Sequence, residues 1–314
     1  MLYNNLSQYL KKRYKGDVRK ICIDGGFTCP NRDGTCGTGG CIFCGERGAG
    51  EHIRSRSLSV AAQVETFFAG NPKGDHFIAY FQNFTNTYAP VQELAAIYRS
   101  ALTDPRISVL AIGTRPDCIT EEIAELIASF RTQVDVWVEL GLQTANDDTA
   151  RIINRGYSRD VFTRAVKILN HHDIPVVVHV MIGLPGEGEK DVAETTQFLN
   201  AHRLWGIKIH SLYVMKGTVL EEMYRSGQFV PISMEQYVRS AVYMLTHLPP
   251  DMIIHRLTGD CPKDLLVAPD WNPKKNEILQ AIRDTMARRE LVQGIFHGKE
   301  SNGEGTNHGE SNGI

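Results

Sequence analysis

The chain has 314 residues, of which 42% are hydrophobic and 22% charged, an ordinary globular composition that permits one large α/β domain or two smaller ones. A formal net charge of -2 excludes a global positive field for nucleic acid, and the basic run 11–20 is better interpreted as a solvated helix face. No stretch approaches the ~20 apolar residues that span a bilayer, and the N-terminus lacks the apolar centre of a secretory signal, so we expect a cytoplasmic protein that does not enter membranes.

After a helix within the first 20 residues, which ends in a turn at Lys15-Gly16, short strands alternate with helices. The predicted strands are 18–23, 76–81, 109–112, 134–140, 175–182 and 206–213. The predicted helices are 60–68, 91–101, 121–130, 147–153, 159–171, 189–202 and 219–226. This alternation indicates βα units around a parallel sheet, so the fold class is α/β. Five or six units favour a partial (β/α)6 barrel, although an open doubly wound sheet fits the periodicity almost as well.

The C-terminal part is predicted to extend the same body. Helices 233–248 and 273–293 flank the segment 252–269, which begins with an apolar run. We therefore expect a core domain over 1–230 and a C-terminal helical extension over 231–296 that packs on it. The tail 297–314 consists mainly of Gly, Asn, Ser and Glu and has little to bury, so it is predicted to be disordered.

The chemistry is concentrated in a glycine-rich loop. Five of the seven cysteines fall between Cys22 and Cys44, and Cys41 and Cys44 form a C-x-x-C motif. In a reducing compartment such cysteines indicate metal or redox chemistry more than disulfides. If Cys36 is a ligand, then Cys29, Cys36, Cys41 and Cys44 could close a four-ligand zinc site. If it is not, three thiolates could hold an iron–sulfur cluster with one open iron, and spacing alone leaves the two interpretations about even.

The segment CIDGGFTCPNRDGTCGTGGCIFC resembles the cluster loop of radical S-adenosylmethionine proteins. Within them it is similar to the branch of the Elongator catalytic subunit and most similar to its YhcC/YtqA-type family, and the resemblance covers most of residues 15–272. It implies a partial radical S-adenosylmethionine barrel in which Cys29, Cys41 and Cys44 hold a [4Fe–4S] cluster. The open iron would then bind S-adenosylmethionine, and a single electron would cleave it to methionine and a 5′-deoxyadenosyl radical. The resemblance moves iron–sulfur ahead of zinc.

Polar residues at the predicted strand ends are candidates for binding the cofactor, because ligands of parallel α/β folds bind there. They are Gln82, Thr85 and Asn86 after the second strand, Thr114 and Arg115 after the third, Glu139 and Gln143 in the fourth, Arg155 beyond it, Gly183 after the fifth and Tyr213 after the sixth. The resemblance implies that Gln143 and Arg155 hold the ribose and carboxylate of the cofactor. For the groups after the second and third strands, turn formation and helix capping are equally good explanations. Glu139 lies in an apolar run, where a site role or a buried ion pair would explain it.

The segment HRLTGDCP places His255, Arg256 and Asp260 at one further strand exit. We predict that these three residues face the substrate as catalytic groups. The alternative is that Arg256 and Asp260 pair with each other to close a loop.

The resemblance implies a radical enzyme that modifies the wobble uridine of tRNA, changing a carboxymethylaminomethyl group toward aminomethyl. The expected partners are tRNA and a reductant such as flavodoxin or ferredoxin. A small metabolite or porphyrin-like substrate is the alternative within enzymes. A zinc-stabilised RNA-binding module without catalysis and a redox sensor are the alternatives from other classes.

Overall fold

The structure, a computed structural model, describes residues 2–48, 53 and 57–299. Its strands are β1 (Val18–Ile23), β2 (His76–Phe81), β3 (Ile107–Thr114), β4 (Asp135–Gln143), β5 (Val176–Ile182), β6 (Gly206–Ser211), β7 (Val214–Met215), β8 (Ile253–Arg256) and β9 (Leu266–Ala268). Seven of them form one parallel sheet in the order β1-β2-β3-β4-β5-β6-β8. Because β1 and β8 lie at its two edges, the sheet stays open on one side. The predicted partial barrel is confirmed, with β8 as a strand beyond the six predicted.

The helices are α1 (Leu6–Tyr14), α2 (Val60–Ala69), α3 (Val91–Ser100), α4 (Glu121–Ser129), α5 (Asp147–Ile152), α6 (Arg159–His171), α7 (Glu189–Asn200), α8 (Val219–Arg225), α9 (Met234–His247) and α10 (Lys275–Arg288). Several begin at a residue whose side-chain oxygen accepts a hydrogen bond from the first turn. Ser59, Thr120 and Ser233 cap α2, α4 and α9 in this way. Such caps satisfy N–H groups that a helix start leaves unpaired.

The two faces of the sheet differ because successive strand residues point to opposite sides. Alternate residues such as Phe77, Ala79 and Phe81 of β2 belong to the main hydrophobic core, which also contains residues of the surrounding helices. The opposite face is apolar only near the amino ends of the strands. There Ile78 and Trp137 share a cluster with Leu10 of α1. The remaining, carboxyl-terminal part of this inner face is left to the polar groups described below.

The segment after α8 is joined to the main sheet. Strand β8 pairs in parallel with β6, with Ile254 opposite Ile207, and the amide of Ile254 also bonds to the carbonyl of Asn4. Helices α9 and α10 contribute buried side chains to the main core. The division at residue 230 stays a prediction, and of the predicted disordered tail the residues from 300 onward lie outside the described part. None of the helices in the described ranges is long and apolar enough to span a membrane.

Candidate functional site

A cavity of about 490 Å³ lies between the cysteine loop and the polar part of the inner sheet face. This volume is within the usual range for small-molecule sites. The predicted residues that line it are Cys29, Cys41, Cys44, Gln82, Thr85, Thr114, Arg115, Glu139, Gln143, Tyr213, Arg256 and Asp260. Four predicted residues, Asn86, Arg155, Gly183 and His255, are not among the lining residues. The structure thus brings most of the candidates to one place.

The cysteine loop is fixed to the barrel through its main chain. The amide of Ile42, between the two cysteines of the C-x-x-C motif, donates to the carbonyl of Ile153 at 3.1 Å. The carbonyl of Ile42 accepts from the amide of Leu220 at 2.9 Å, and all three side chains share one small hydrophobic cluster. The C-x-x-C segment itself forms a turn in which the amide of Cys44 bonds to the carbonyl of Cys41 at 2.9 Å.

Three polar side chains hold the rest of this loop. Asn31 donates to the carbonyl of Asn154 at 2.6 Å, and Asn154 donates in return to the carbonyl of Gly40 at 2.8 Å. The guanidinium of Arg32 bonds to the carbonyl of Cys44 at 2.9 Å. Gly40 has a φ of +79°, a conformation that side chains disfavour. The chain can therefore wrap closely around whatever the thiols bind.

Cys41 and Cys36 of the loop have different surroundings. Burial and, to a smaller extent, the neighbouring Cys44 raise the pKa of Cys41 to about 12. A thiol of this kind carries a proton at neutral pH unless a metal takes the thiolate. Cys36 is exposed and does not line the cavity, and its sulfur lies 3.6 Å from the guanidinium of Arg115.

Within ranges 2–48, 53 and 57–299, no three His, Cys, Asp or Glu side chains converge as ligands of a single metal ion would. The assignment of Cys29, Cys41 and Cys44 as ligands therefore stays a prediction.

Gln143 ends β4 in an unusual backbone conformation that turns its side chain into the cavity wall. Its φ is +61°, which is rare for a residue other than glycine and costs energy. The hydroxyl of Tyr157 donates to the carbonyl of Gly141 at 2.8 Å and lies 3.4 Å from the side-chain oxygen of Gln143. A Cβ atom on Gly141 would come within 2.7 Å of the Gln143 amide. This close packing positions Gln143 for a ligand.

The carboxyl ends of β2 and β3 present further polar groups. The Thr114 hydroxyl is 2.6 Å from that of Thr87, while the Arg115 guanidinium bonds to both oxygens of Asp117 at 2.9 and 2.7 Å. Buried Thr85 lines the cavity, and its hydroxyl has no hydrogen-bond partner among the residues that the structure describes. An unpaired buried hydroxyl is costly and is explained by a ligand that would bond to it. Gln82 also lines the cavity and accepts a hydrogen bond from the Cys22 thiol at 3.2 Å.

Asn86 and Arg155 have contacts that tie parts of the chain together. Asn86 is fully buried and donates to the carbonyl of Gly113 at 2.7 Å. Arg155 is also fully buried, and its guanidinium donates to the carbonyls of Leu142, Thr144 and Tyr157. These bonds hold the turn on which Gln143 lies. A direct contact of Arg155 with the cofactor stays a prediction, but the structure gives it this positioning role.

Glu139 lies at the centre of a buried polar network on the inner face. One of its oxygens accepts from the Tyr80 hydroxyl at 2.7 Å and from His179 at 2.8 Å, and it also binds the ammonium group of Lys208. The other accepts from the indole of Trp137 at 3.1 Å. Although burial opposes ionisation, Lys208 and His179 hold the pKa of Glu139 well below its usual range. The carboxylate is thus charged and paired.

Gly183 and His255 do not line the cavity. Gly183 has a φ of +93°, and a Cβ atom there would lie 3.1 Å from Ile232. His255 is enclosed by the rings of Trp137 and Trp205, and burial lowers its pKa to about 3, so it is neutral. Of the predicted substrate-facing residues, His255 is therefore separated from the other two.

Tyr213, Arg256 and Asp260 meet at the other side of the cavity. The Tyr213 hydroxyl lies 3.3 Å from the carbonyl of Asp260, and the Arg256 guanidinium lies 3.7 Å from its carboxylate. Lys275 binds the same carboxylate. The predicted pairing of Arg256 with Asp260 is present, and both side chains nevertheless line the cavity.

Sequence reasoning missed the lining residues Tyr80, Tyr157 and Lys208, and it assigned Lys20 only to the basic run. The signal for Lys208 was available, because it interrupts an apolar strand just as Glu139 does. A charge in such a run needs a partner. The two residues are 69 positions apart, and only the fold shows that they pair.

Comparison with known proteins identifies both parts of the chain. Residues 32–199 match the family model of the Radical SAM superfamily, and residues 204–288 match that of the Radical_SAM C-terminal domain. The sequence is 37% identical over 297 residues to the uncharacterized protein YtqA of Bacillus subtilis, covering 94% of this chain and 92% of that protein. It is 36% identical over 272 residues to protein YhcC of Escherichia coli, covering 86% and 87%. The resemblance predicted from the cysteine loop is confirmed.

More distant similarity extends to Elongator proteins. Elongator complex protein 3 of Homo sapiens is 26% identical over 235 residues, which cover 71% of this chain and 42% of that protein. The solved structure of Elp3 from the archaeon Methanocaldococcus infernus matches with a TM-score of 0.67 at 18% identity, over 88% of this chain and 64% of that one. This chain therefore spans less than two thirds of either protein, and the structural match concerns the fold.

Proposed function

Because this chain belongs to the Radical SAM superfamily and is an enzyme of that superfamily, we propose that Cys29, Cys41 and Cys44 hold a [4Fe–4S] cluster beside a site for S-adenosylmethionine. When bound, the two cofactors supply a 5′-deoxyadenosyl radical by one-electron cleavage of S-adenosylmethionine. The superfamily implies both cofactors. Membership in this enzyme superfamily also argues against a zinc-stabilised module without catalysis.

The observation that carries this proposal is the separation of the loop cysteines into two groups. Cys29, Cys41 and Cys44 line the cavity, whereas Cys36 is exposed and lies against Arg115. Three thiolates leave one iron of a cubane open for a ligand, while a structural zinc site would need a fourth.

The chain's own residues would bind and orient the cofactor. Gln143, held by its strained backbone and by Tyr157, and Thr85, with its unpaired buried hydroxyl, offer hydrogen bonds to the polar groups of S-adenosylmethionine. Arg155 would act by fixing the turn that carries Gln143. Such preorganisation keeps the reacting groups in place at low entropic cost.

For the substrate we propose the wobble uridine of tRNA, whose carboxymethylaminomethyl group would be converted toward aminomethyl. The similarity to Elongator proteins supports this choice. Flavodoxin or ferredoxin in the cytoplasm would supply the electron.

Anaerobic incubation of the reconstituted protein with S-adenosylmethionine, reductant and bulk bacterial tRNA tests both levels of this proposal. We expect 5′-deoxyadenosine to form and, by nucleoside mass spectrometry, carboxymethylaminomethyl nucleosides to decline as aminomethyl nucleosides increase. The Cys41→Ala variant should show neither change. Formation of 5′-deoxyadenosine without any change in a wobble nucleoside would refute the tRNA substrate and favour a small metabolite.

A further inference from the structure

The inner wall of the cavity carries positive charge that its carboxylates do not balance. Cationic side chains reach it from three strands, Lys20 from β1, Lys208 from β6 and Arg256 from β8. Lys275 binds the carboxylate of Asp260. Three lining cations thus accompany two lining carboxylates, Glu139 and Asp260, and Lys275 outside the lining also pairs with Asp260, so these groups together leave a surplus of two positive charges when Lys208 is protonated.

Glu139 has no acceptor position left for a further cation because it already accepts four hydrogen bonds. Lys208, in contrast, has three N–H donors and uses two of them, one to Glu139 and one to the hydroxyl of Tyr80 at 3.0 Å. It is only 5% exposed, and yet it lines the cavity. Its third donor is available to a ligand there.

The other two cations have weak partners. The ammonium group of Lys20 lies 4.7 Å from the centre of the Tyr80 ring, a cation–π contact. Arg256 is 3.7 Å from a carboxylate that Lys275 also binds. Burial, followed by the fields of Lys20 and Arg256, lowers the pKa of Lys208 to about 7 against the attraction of Glu139. The cations therefore repel one another, and a bound anion would reduce this repulsion.

His210 adds a neutral group to the same wall. Its Nε2 atom is buried and has no hydrogen-bond partner in the described part of the chain, and its ring lies 5.3 Å from that of His179. Burial and the neighbouring His179 and Arg256 hold its pKa well below the usual range. A neutral imidazole can still donate one hydrogen bond to an anion. The bound anion would satisfy this atom as well.

We propose that this anion wall, defined as Lys20, Lys208, His210 and Arg256, binds a carboxylate of the substrate. This carboxylate is the one that ends the carboxymethylaminomethyl group, an identification that rests on the proposed function. The wall would hold that end of the group by charge-assisted hydrogen bonds. It would also discriminate against a side chain without the carboxylate, because the buried donors would then stay unpaired.

A binding measurement on the reconstituted protein tests the wall without turnover. The probes are the nucleoside 5-carboxymethylaminomethyluridine and its carboxamide, in which a neutral amide replaces the carboxylate, titrated with and without bound S-adenosylmethionine. Tryptophan fluorescence can report binding, because the indole of Trp137 bonds to Glu139 in the same network. We expect the carboxylate to bind at least tenfold more tightly than the carboxamide, with or without S-adenosylmethionine.

Two variants should remove that preference. Arg256→Gln alters a side chain that is 33% exposed, and the double variant Glu139→Gln with Lys208→Met leaves no buried charge unpaired. The control Lys167→Met, an exposed lysine of α6, should keep the preference in full. Equal affinity of the wild type for the two nucleosides would overturn the proposal. A preference that disappears once S-adenosylmethionine is bound would also overturn it. So would inorganic phosphate that binds as tightly as the carboxylate nucleoside.

The outcome is separable from that of the tRNA assay. Discrimination between the nucleosides without any modification of tRNA would uphold the anion wall and refute the proposed substrate. If the wild type modifies tRNA and both variants keep the same kcat/KM, the proposed substrate is upheld and the anion wall is refuted.

Discussion

Replacement of Glu139 by glutamine should destabilise the protein far more than the loss of one surface charge. Glu139 is 3% exposed and is the carboxylate that pairs with Lys208, itself 5% exposed. Removing one partner of a buried pair leaves the other as an uncompensated buried charge, which costs about 3–5 kcal/mol. The amide keeps the shape of the side chain and can still accept from Trp137. We therefore expect a loss of about 3 kcal/mol in the free energy of unfolding, at the lower end of that range.

The loss should depend on pH in a defined direction. Burial lowers the pKa of Lys208 to about 7, so the wild type keeps the ion pair at pH 6 and loses much of it at pH 8. The variant lacks the pair at both values. The difference in stability between wild type and variant is thus expected to be larger at pH 6 than at pH 8.

Urea denaturation followed by circular dichroism measures both effects. The matched control is Glu194→Gln, which removes the partner of an exposed helical pair with Lys190 and should cost at most about 0.5 kcal/mol. Adding Lys208→Met to Glu139→Gln should restore part of the loss, because no buried charge then remains unpaired. A Glu139→Gln variant as stable as the Glu194→Gln control would refute the buried-pair reasoning.

Two further predictions concern buried groups near the cavity. Arg155→Lys should lower the free energy of unfolding by about 3 kcal/mol or more, because an ammonium group cannot reach the carbonyls of Leu142 and Thr144 together. The control Arg151→Lys, at an exposed position, should stay within about 0.5 kcal/mol of wild type. Equal denaturation midpoints for the two variants would contradict this prediction. Burial raises the pKa of Glu187 from 4.5 to about 7, so its native protonated form favours folding at low pH and this contribution is lost as pH rises through 7. As pH rises from 5 to 8, the stability of Glu187→Gln relative to wild type should therefore increase, by on the order of 2–3 kcal/mol at most. Thermal melts in which the difference in melting temperature between the two proteins stays constant across that range would argue against it.

Much of the fold follows from local patterns in the sequence. β1 and β2 have the bounds predicted from their apolar runs, and α6 begins and ends at the predicted residues. The predicted strand 206–213 ends two residues early, at Ser211, and the short strand β7 that follows was not predicted; it lies outside the main sheet and pairs antiparallel with β9. That pairing joins segments about 50 residues apart, and periodicity carries no information about such distant partners.

The site was predictable in composition but less so in arrangement. The positions of Gln143 and Arg155 relative to strand β4 could be inferred, but the saturation of the Arg155 guanidinium by main-chain carbonyls depends on the conformation of the turn. His255 and Arg256 are neighbours in sequence, and only the folded chain places one among tryptophan rings and the other at the cavity. Side-chain surroundings of this kind are set by tertiary packing.

The most direct test of the three-thiolate site compares iron content after anaerobic reconstitution in the Cys36→Ala and Cys41→Ala variants. Since Cys41 lines the cavity and Cys36 does not, Cys36→Ala should keep about four irons per chain and its ability to cleave S-adenosylmethionine, while Cys41→Ala should lose both. Loss of iron in Cys36→Ala as complete as in Cys41→Ala would contradict the account.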